Sequence, residues 1–198
     1  MLEHIKTYLE SRVPLTDHEW NMLEGRLQLI KFHEKQIIYT PEDIFDKMFF
    51  LNKGIVRAYF IDPEGKEFTW SIHYNEPDAM VVNRFIVDYA SFIKKEPSSF
   101  FFEAVTDSEA IVITDQLLKD LYSKSILWQQ VGRVLSEEAY YLTHHRALSL
   151  LTKSAGERYQ ELIQKFPRLF EILPQQYLAS YLGITPQSLS RLKKNFQN

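Results

Sequence analysis

The chain has 198 residues, 45% of them hydrophobic, a net charge of −3 and no cysteine. That is enough apolar material for a real core, and the missing thiol excludes disulfides, cysteine nucleophiles, thiolate-bound zinc and iron–sulfur clusters together. No run reaches the roughly 20 apolar residues of a membrane span, and the opening MLEHIKTYLESRVP is charged where a signal peptide is apolar, so a cytoplasmic protein without membrane contact is expected.

The first 29 residues read as two short helices. Ile5 and Leu9, then Trp20, Leu23 and Leu27, fall at helical spacing, and Thr16 stands as an N-cap with Glu19 completing a capping box. Between residues 30 and 114 the pattern shifts to short β-branched and aromatic runs, IIYT, MFFL, IVRAYFI, FTWSIHY, FFFEAV and AIVIT. Gly54 and Gly65 lie between such runs, where a turn needs positive φ. Short strands so spaced predict an antiparallel barrel or jelly roll. One stretch, 77–95, interrupts them: Met80, Val81, Phe85, Ile86, Tyr89 and Phe92 lie near helical spacing and predict a short helix or an ordered loop.

Beyond Thr114, a plausible N-cap for DQLLKDLYSK, the sequence becomes helical. A long helix is predicted over 126–151, with Leu127, Val131, Val134 or Leu135, Glu138, Leu142 and Leu148 on one side. At 1.5 Å per residue it would run about 40 Å, more than covering a small barrel requires, so pairing with a second copy is expected; the same spacing also fits an ordinary packed helix. Ser154 then caps AGERYQELIQKF, which ends before Pro167. The expected class is α+β: a β-roll sensor domain over 1–124, a long dimerisation helix over 125–153, and a helix-turn-helix domain over 154–198.

The most informative segment is LPQQYLASYLGITPQSLSRLKK, residues 173–194. Leu178 and Leu182 lie one turn apart, Ala179 permits close approach of a second helix, and Gly183 suits a left-handed turn. Ile184 plugs the angle between the helices, Thr185 is an N-cap, and Pro186 sits at the first helical position, where its missing N–H costs nothing. Leu189 and Leu192 then face the core, leaving Gln187, Ser188, Ser190, Arg191 and Lys194 for solvent or DNA. In such an arrangement the second helix enters the major groove. Gln suits adenine and Arg guanine, so Gln187, Ser188 and Arg191 are the candidate base readers, with Lys193 and Lys194 on phosphates. Residues 175–198 carry Arg191, Lys193 and Lys194 with no acidic residue, a basic end on an acidic chain. A solvated basic tail would look the same by charge alone.

These features together resemble the Crp/Fnr family of bacterial regulators, with SAGERYQELIQKFP, the 173–194 segment, the turn glycines and EAVTDSEAIVIT carrying the resemblance. It implies a homodimer on double-stranded operator DNA, controlled through a cyclic-nucleotide-binding-type β-roll. Family members that bind cyclic nucleotides have a glycine-containing cassette followed by a phosphate-binding arginine. Here the region 75–81, NEPDAMV, has no glycine, and alignment on Ala104 puts Ser98 at the arginine and Ser99 at the next small polar position. Without that arginine a buried phosphate lacks its charge-assisted contact, so cyclic AMP or GMP is not expected to bind. Trp70, Met80, Val81, Arg84, Phe85, Tyr89, Ser98 and Ser99 are the residues expected near an effector pocket, which in this chain would suit an apolar molecule; a vestigial sensor is the other possibility. The chain also stops at Asn198, without the apolar segment that forms a closing wing in longer members.

No metal or cofactor is expected. His144 and His145 are adjacent, hence about 100° apart on a helix, and poorly placed to share an ion. No nucleophile elbow, glycine-rich phosphate loop or paired metal motif suggests an enzyme. The alternative to a DNA-binding regulator is a sensing or interaction module that keeps the fold but has lost DNA binding, for which the exposure of Arg191 is the discriminating feature.

Overall fold

The computed structural model describes residues 2–75 and 83–197. Two helices, α1 (Glu3–Glu10) and α2 (Asp17–Glu24), lead into eight strands. These are β1 (Gln28–Phe32), β2 (Ile37–Tyr39), β3 (Lys47–Lys53), β4 (Ile55–Ile61), β5 (Glu67–Tyr74), β6 (Phe85–Ile86), β7 (Phe101–Ala104) and β8 (Ser108–Thr114), with α3 (Tyr89–Lys94) between β6 and β7. They form two antiparallel four-stranded sheets, ordered β1-β8-β3-β6 and β2-β7-β4-β5. Thr16 caps α2 through the Glu19 N–H. The 77–95 region becomes the two-residue β6 and the six-residue α3; its remainder at 77–82 lies outside the described residues. The helix starts late because Asp88 caps it, accepting from the Ala90 and Ser91 N–H groups.

Phenylalanines from both sheets fill the roll. Phe45 stacks on Tyr39 at 3.8 Å and meets Phe102 edge-on at 5.0 Å, and Phe49 meets Phe32 at 5.4 Å. Strand β3 is buried continuously from Met48 to Leu51 instead of alternating, because α1 covers its second face: the Tyr8 ring lies 5.5 Å from Phe50. Each such fully buried side chain contributes about 1.5–3 kcal/mol.

The helical half follows as α4 (Asp115–Lys124), capped by Thr114, α5 (Ile126–Thr152), capped by Ser125, then α6 (Ala155–Lys165), α7 (Leu169–Ile172), α8 (Gln175–Tyr181) and α9 (Pro186–Gln197). Ser154 and Glu157 close a full capping box at the start of α6. Helix α5 has the expected length, but much of the expected pairing row is used inside the chain. Trp128 and Val131 are buried, Leu127 and Leu135 pack against the roll's core, and Glu138 accepts from Tyr8 and Arg12. The side left open is displaced along and around the helix, to Tyr140, Tyr141, Leu148 and Leu151 with the exposed His144 and His145.

A second buried cluster lies outside the roll. Ile55, Ile72, Tyr74 and Val105 from the strand layer join Tyr159, Leu162, Leu169, Leu173, Leu178, Ala179, Leu182 and Leu189 from the last four helices. The C-terminal helices are therefore seated on the outer face of the β2-β7-β4-β5 sheet, with α8 packed on β5.

Candidate nucleic-acid interface and the cavity behind it

Helices α8 and α9 form the expected pair, and the bend between them has a full set of backbone bonds. The Gly183 N–H donates to Ser180 O at 3.1 Å and the Ile184 N–H to Ala179 O at 3.0 Å, the double closure of a Schellman motif, with Gly183 at φ +68°. Thr185 Oγ accepts from the Ser188 N–H at 3.2 Å, so Thr185 acts as the N-cap and Pro186 begins the helix. Leu178, Ala179, Leu182 and Leu189 are completely buried, which fixes the angle between the helices.

The opposite side of α9 is open. Gln187, Ser190, Arg191 and Lys194 are exposed at positions that share one helical face, and Thr185 is exposed at its start. Ser188 is half-buried and its hydroxyl accepts from Thr185. Lys193 is half-buried too, its ammonium 5.8 Å from the Phe170 ring of α7, so its stem packs while its head stays near the surface.

Helix α8 is tied to the roll by polar contacts that the sequence did not single out. Arg57 on β4 and Glu103 on β7 sit directly opposite each other in the ladder and are both buried. Glu103 Oε2 accepts from Arg57 Nε at 2.9 Å and Nη2 at 2.6 Å, while Glu67 accepts from Nη1 at 2.7 Å. The guanidinium lies between two rings, Tyr59 at 3.9 Å and Tyr177 of α8 at 3.7 Å, and the Tyr177 hydroxyl donates to Glu103 Oε1 at 3.3 Å. Opposite charges in the middle of two otherwise apolar runs, IVRAYFI and FFFEAV, were the available signal.

Strand β5 carries a bulge against β4: Ala58 pairs with Ser71 and Tyr59 with Thr69, leaving Trp70 as the extra residue. The freed backbone is taken up by helices. Ser180 Oγ of α8 accepts from the Thr69 N–H at 2.7 Å and donates to Glu67 O at 3.0 Å. Arg146 of α5 donates to Trp70 O at 3.0 Å, to Thr69 O at 3.1 Å and to Tyr181 O at 2.5 Å, with its guanidinium 3.9 Å from the Tyr181 ring. Arg158 of α6 donates to Leu182 O. Two arginines thus satisfy the end carbonyls of α8, as cations at a helix C-terminus do.

Beside the bulge is a cavity of about 390 Å³ enclosed by β5, β6, the start of α3, α5 and the C-terminal helices. Of the residues singled out for a pocket, Trp70, Phe85 and Tyr89 line it, together with Phe100, Leu142 and Arg146. Arg84, Ser98 and Ser99 do not. Arg84 points toward α1, 5.5 Å from the Tyr8 ring, and Ser99 is exposed. Ser98 is buried and donates to Asp88 Oδ2 at 2.8 Å. Met80, Val81 and most of the 75–81 stretch lie outside the described residues. His73 also lines the cavity; burial pushes its imidazole down to about 4, against the pull of the Phe85 backbone and Asn83, so it is neutral near pH 7. Among the described residues no cluster could hold a metal ion, and no helix is long and apolar enough to cross a membrane.

No curated protein sequence matches the chain. The family model for the cyclic nucleotide-binding domain matches residues 29–125. Among solved structures, FixK2 from Bradyrhizobium japonicum is similar at a TM-score of 0.70 and 14% identity, over 86% of this chain and 84% of that one. The c-di-GMP responsive global regulator CLP from Xanthomonas campestris is similar at 0.65 and 15% identity, over 92% of each chain. A structure described as a transcriptional regulator of the crp/fnr family from Eubacterium rectale is similar at 0.68 and 16% identity, over 93% of this chain and 84% of that one. With the roll, the long helix and the helix-turn-helix following one another along nearly the whole chain, the protein has the fold of these structures, a cyclic nucleotide-binding-type β-roll joined to a C-terminal helix-turn-helix.

Proposed function

We propose that the chain is a homodimeric, sequence-specific DNA-binding transcription regulator, a binding protein and not an enzyme, whose roll answers to an effector other than a cyclic nucleotide. The observation that carries this is the reading face of α9: Gln187, Ser190, Arg191 and Lys194 are exposed together while Leu189 locks the other side. Gln187 and Arg191 read base edges, with Ser188 and Ser190 beside them; Thr185, Lys193 and Lys194 hold phosphates. An exposed Arg191 favours this over a module that has lost DNA binding. In this reading residues 1–124 sense, 125–153 pair two copies through the Tyr141, His144, Leu148 and Leu151 side, and 154–198 read DNA. The setting is cytoplasmic, with no membrane partner.

Selection of genomic fragments at defined salt tests it. The native protein is expected to enrich one roughly palindromic site, the symmetry of a dimer. Arg191→Ala is expected to lose about 1–3 kcal/mol per half-site, and with it the enrichment, while keeping weak salt-dependent binding. Enrichment of the same fragments by both proteins would refute the assignment of Arg191.

The polarity of the roll supports the second half of the proposal. At the position of the phosphate-binding arginine, Ser98 is held by the Asp88 carboxylate, whose other oxygen already occupies the first N–H groups of α3. A cyclic phosphate would meet a fixed negative charge instead of a cation. Cyclic AMP and cyclic GMP titrated into the protein in a calorimeter are expected to give no binding in the micromolar range, and a micromolar isotherm with either would overturn this part.

A further inference from the structure

The cavity has one cationic side chain among its described lining residues, and that cation lacks a counter-charge. Arg146 is drawn out of solvent between α5, β5 and α8, yet its Nε and Nη2 donate only to the carbonyls of Trp70, Thr69 and Tyr181. Its Nη1 makes no hydrogen bond to any described residue, and no described carboxylate lies close enough to act on it; its charged neighbour is another cation, Arg158. Burial, the largest influence, lowers its affinity for its proton, Tyr181 raises it, and Arg158 lowers it again. A guanidinium in that position is stabilised by any anion that can reach it.

The rest of the lining sets what such an anion must look like. Trp70, Phe85, Tyr89 and Phe100 present ring surfaces, and His73 is a neutral imidazole. The lining also holds one carboxylate, Asp88 before α3, which accepts from the Ser98 hydroxyl and from the Ala90 and Ser91 N–H groups. The cavity's volume of about 390 Å³ suits a molecule of one or two fused rings. We propose that the cavity binds a small aromatic carboxylate, with its ring system against Trp70 and Phe100 and its carboxylate on Arg146.

This site would speak directly to the DNA-reading helices. The guanidinium that receives the carboxylate also holds the Tyr181 carbonyl and stacks on the Tyr181 ring at the end of α8. A ligand that draws Arg146 toward itself weakens that contact, and a ligand that neutralises it in place strengthens the packing of α8 on the bulged strand. In both cases the ligand favours one seating of the helix-turn-helix over another, which is the differential affinity that control requires.

The inference rests on the regulator reading, so binding is measured first on DNA-free protein. The probes are 2-naphthoate and its uncharged analogue 2-naphthamide, followed by calorimetry and by tryptophan fluorescence, to which Trp70 contributes. Naphthoate is expected to bind and to quench, with the amide at least about tenfold weaker. Arg146→Met is expected to erase the preference for the anion. Leu142→Trp, which fills the cavity from α5 and leaves Arg146 in place, is expected to abolish binding of both probes, and this keeps the test decisive if the Arg146 variant does not fold. Equal affinity of acid and amide, or no binding of naphthoate at millimolar concentration, overturns the proposal. Failure of the regulator reading shows differently, as naphthoate binding by a protein that enriches no DNA site in the fragment selection.

Discussion

Gly54→Ala is expected to destabilise the chain by about 4 kcal/mol or more, at the upper end of what one substitution does. Gly54 lies between β3 and β4 at φ +98°, where an L side chain is strained by about 1–3 kcal/mol before it meets anything. A Cβ built there would come within 2.2 Å of Ser108 Oγ, 2.7 Å of Ser108 Cα and 2.8 Å of Asp107 O. Two of those atoms are backbone of the β7–β8 turn, so no rotamer change relieves the contact. That turn is pinned on its other side: the Val105 N–H donates to Ile55 O at 2.8 Å and Thr106 Oγ accepts from the Ile55 N–H at 3.0 Å. Relief requires moving β8, which pairs with both β1 and β3. Gly183→Ala is the comparison. It has a similar sign of φ, +68°, but its nearest neighbour would be a Phe68 ring carbon at 3.5 Å, so only the backbone cost of about 1–2 kcal/mol remains. Urea unfolding midpoints of the two variants decide it: a Gly54→Ala midpoint no lower than that of Gly183→Ala would show that the two turns do not approach so closely.

The contrast between these glycines also marks what the sequence can and cannot say. Both stand where a turn is legible, and the requirement for positive φ at Gly54 and Gly183 follows from their place between periodic runs. That Gly54 also abuts another turn depends on residues 51 or more positions away, and no local pattern carries it. Capping positions were readable for the same reason that turns were: Thr16, Thr114, Ser154 and Thr185 each bond a neighbour three residues on. The helix-turn-helix was readable in detail because its determinants lie within one short segment. The pairing row on α5 was harder. Its apolar spacing records every surface the helix meets, and the roll takes Trp128 and Val131 before any second copy can.

The cavity beside the bulge was legible only in part, and the reason is geometric. Trp70, Phe85 and Tyr89 could be guessed from composition near the cassette, but the cavity's polar end belongs to Arg146, which comes from α5. Its role is created by the bulge at Trp70, a register slip that turns two carbonyls toward the helix. Ser98 and Ser99 looked like pocket residues because alignment puts Ser98 at the place of a ligand-binding arginine and Ser99 at the small polar position after it. With Asp88 as its partner, Ser98 instead closes the loop behind α3 and leaves nothing there for an anion.

Arg57→Ala is expected to cost about 3–5 kcal/mol, because it leaves the Glu103 carboxylate buried without its cation. Arg57 and Glu103 are 2% and 6% exposed, whereas Glu67, the second acid on the guanidinium, is largely solvated, and its share is correspondingly small. Truncation also removes the flat cation between Tyr59 and Tyr177, so α8 loses the ring contact that seats it on β4. If the cost comes from an orphaned charge, replacing both partners by apolar residues should recover much of it. Arg57→Met with Glu103→Leu is therefore expected to unfold at a denaturant midpoint well above that of Arg57→Ala, since an apolar pair of similar volume removes the desolvation penalty along with the attraction. The doubly replaced protein should nevertheless hold α8 less firmly, because the Tyr177 hydroxyl has lost its acceptor and its ring has lost the guanidinium. Hydrogen exchange of the α8 amides reads that second effect separately from global stability. Recovered stability with faster exchange confined to the C-terminal helices would make the Arg57–Glu103 pair a determinant of how the helix-turn-helix sits on the β-roll. A loss of less than about 1 kcal/mol in Arg57→Ala would place the pair in solvent-like surroundings and remove that role.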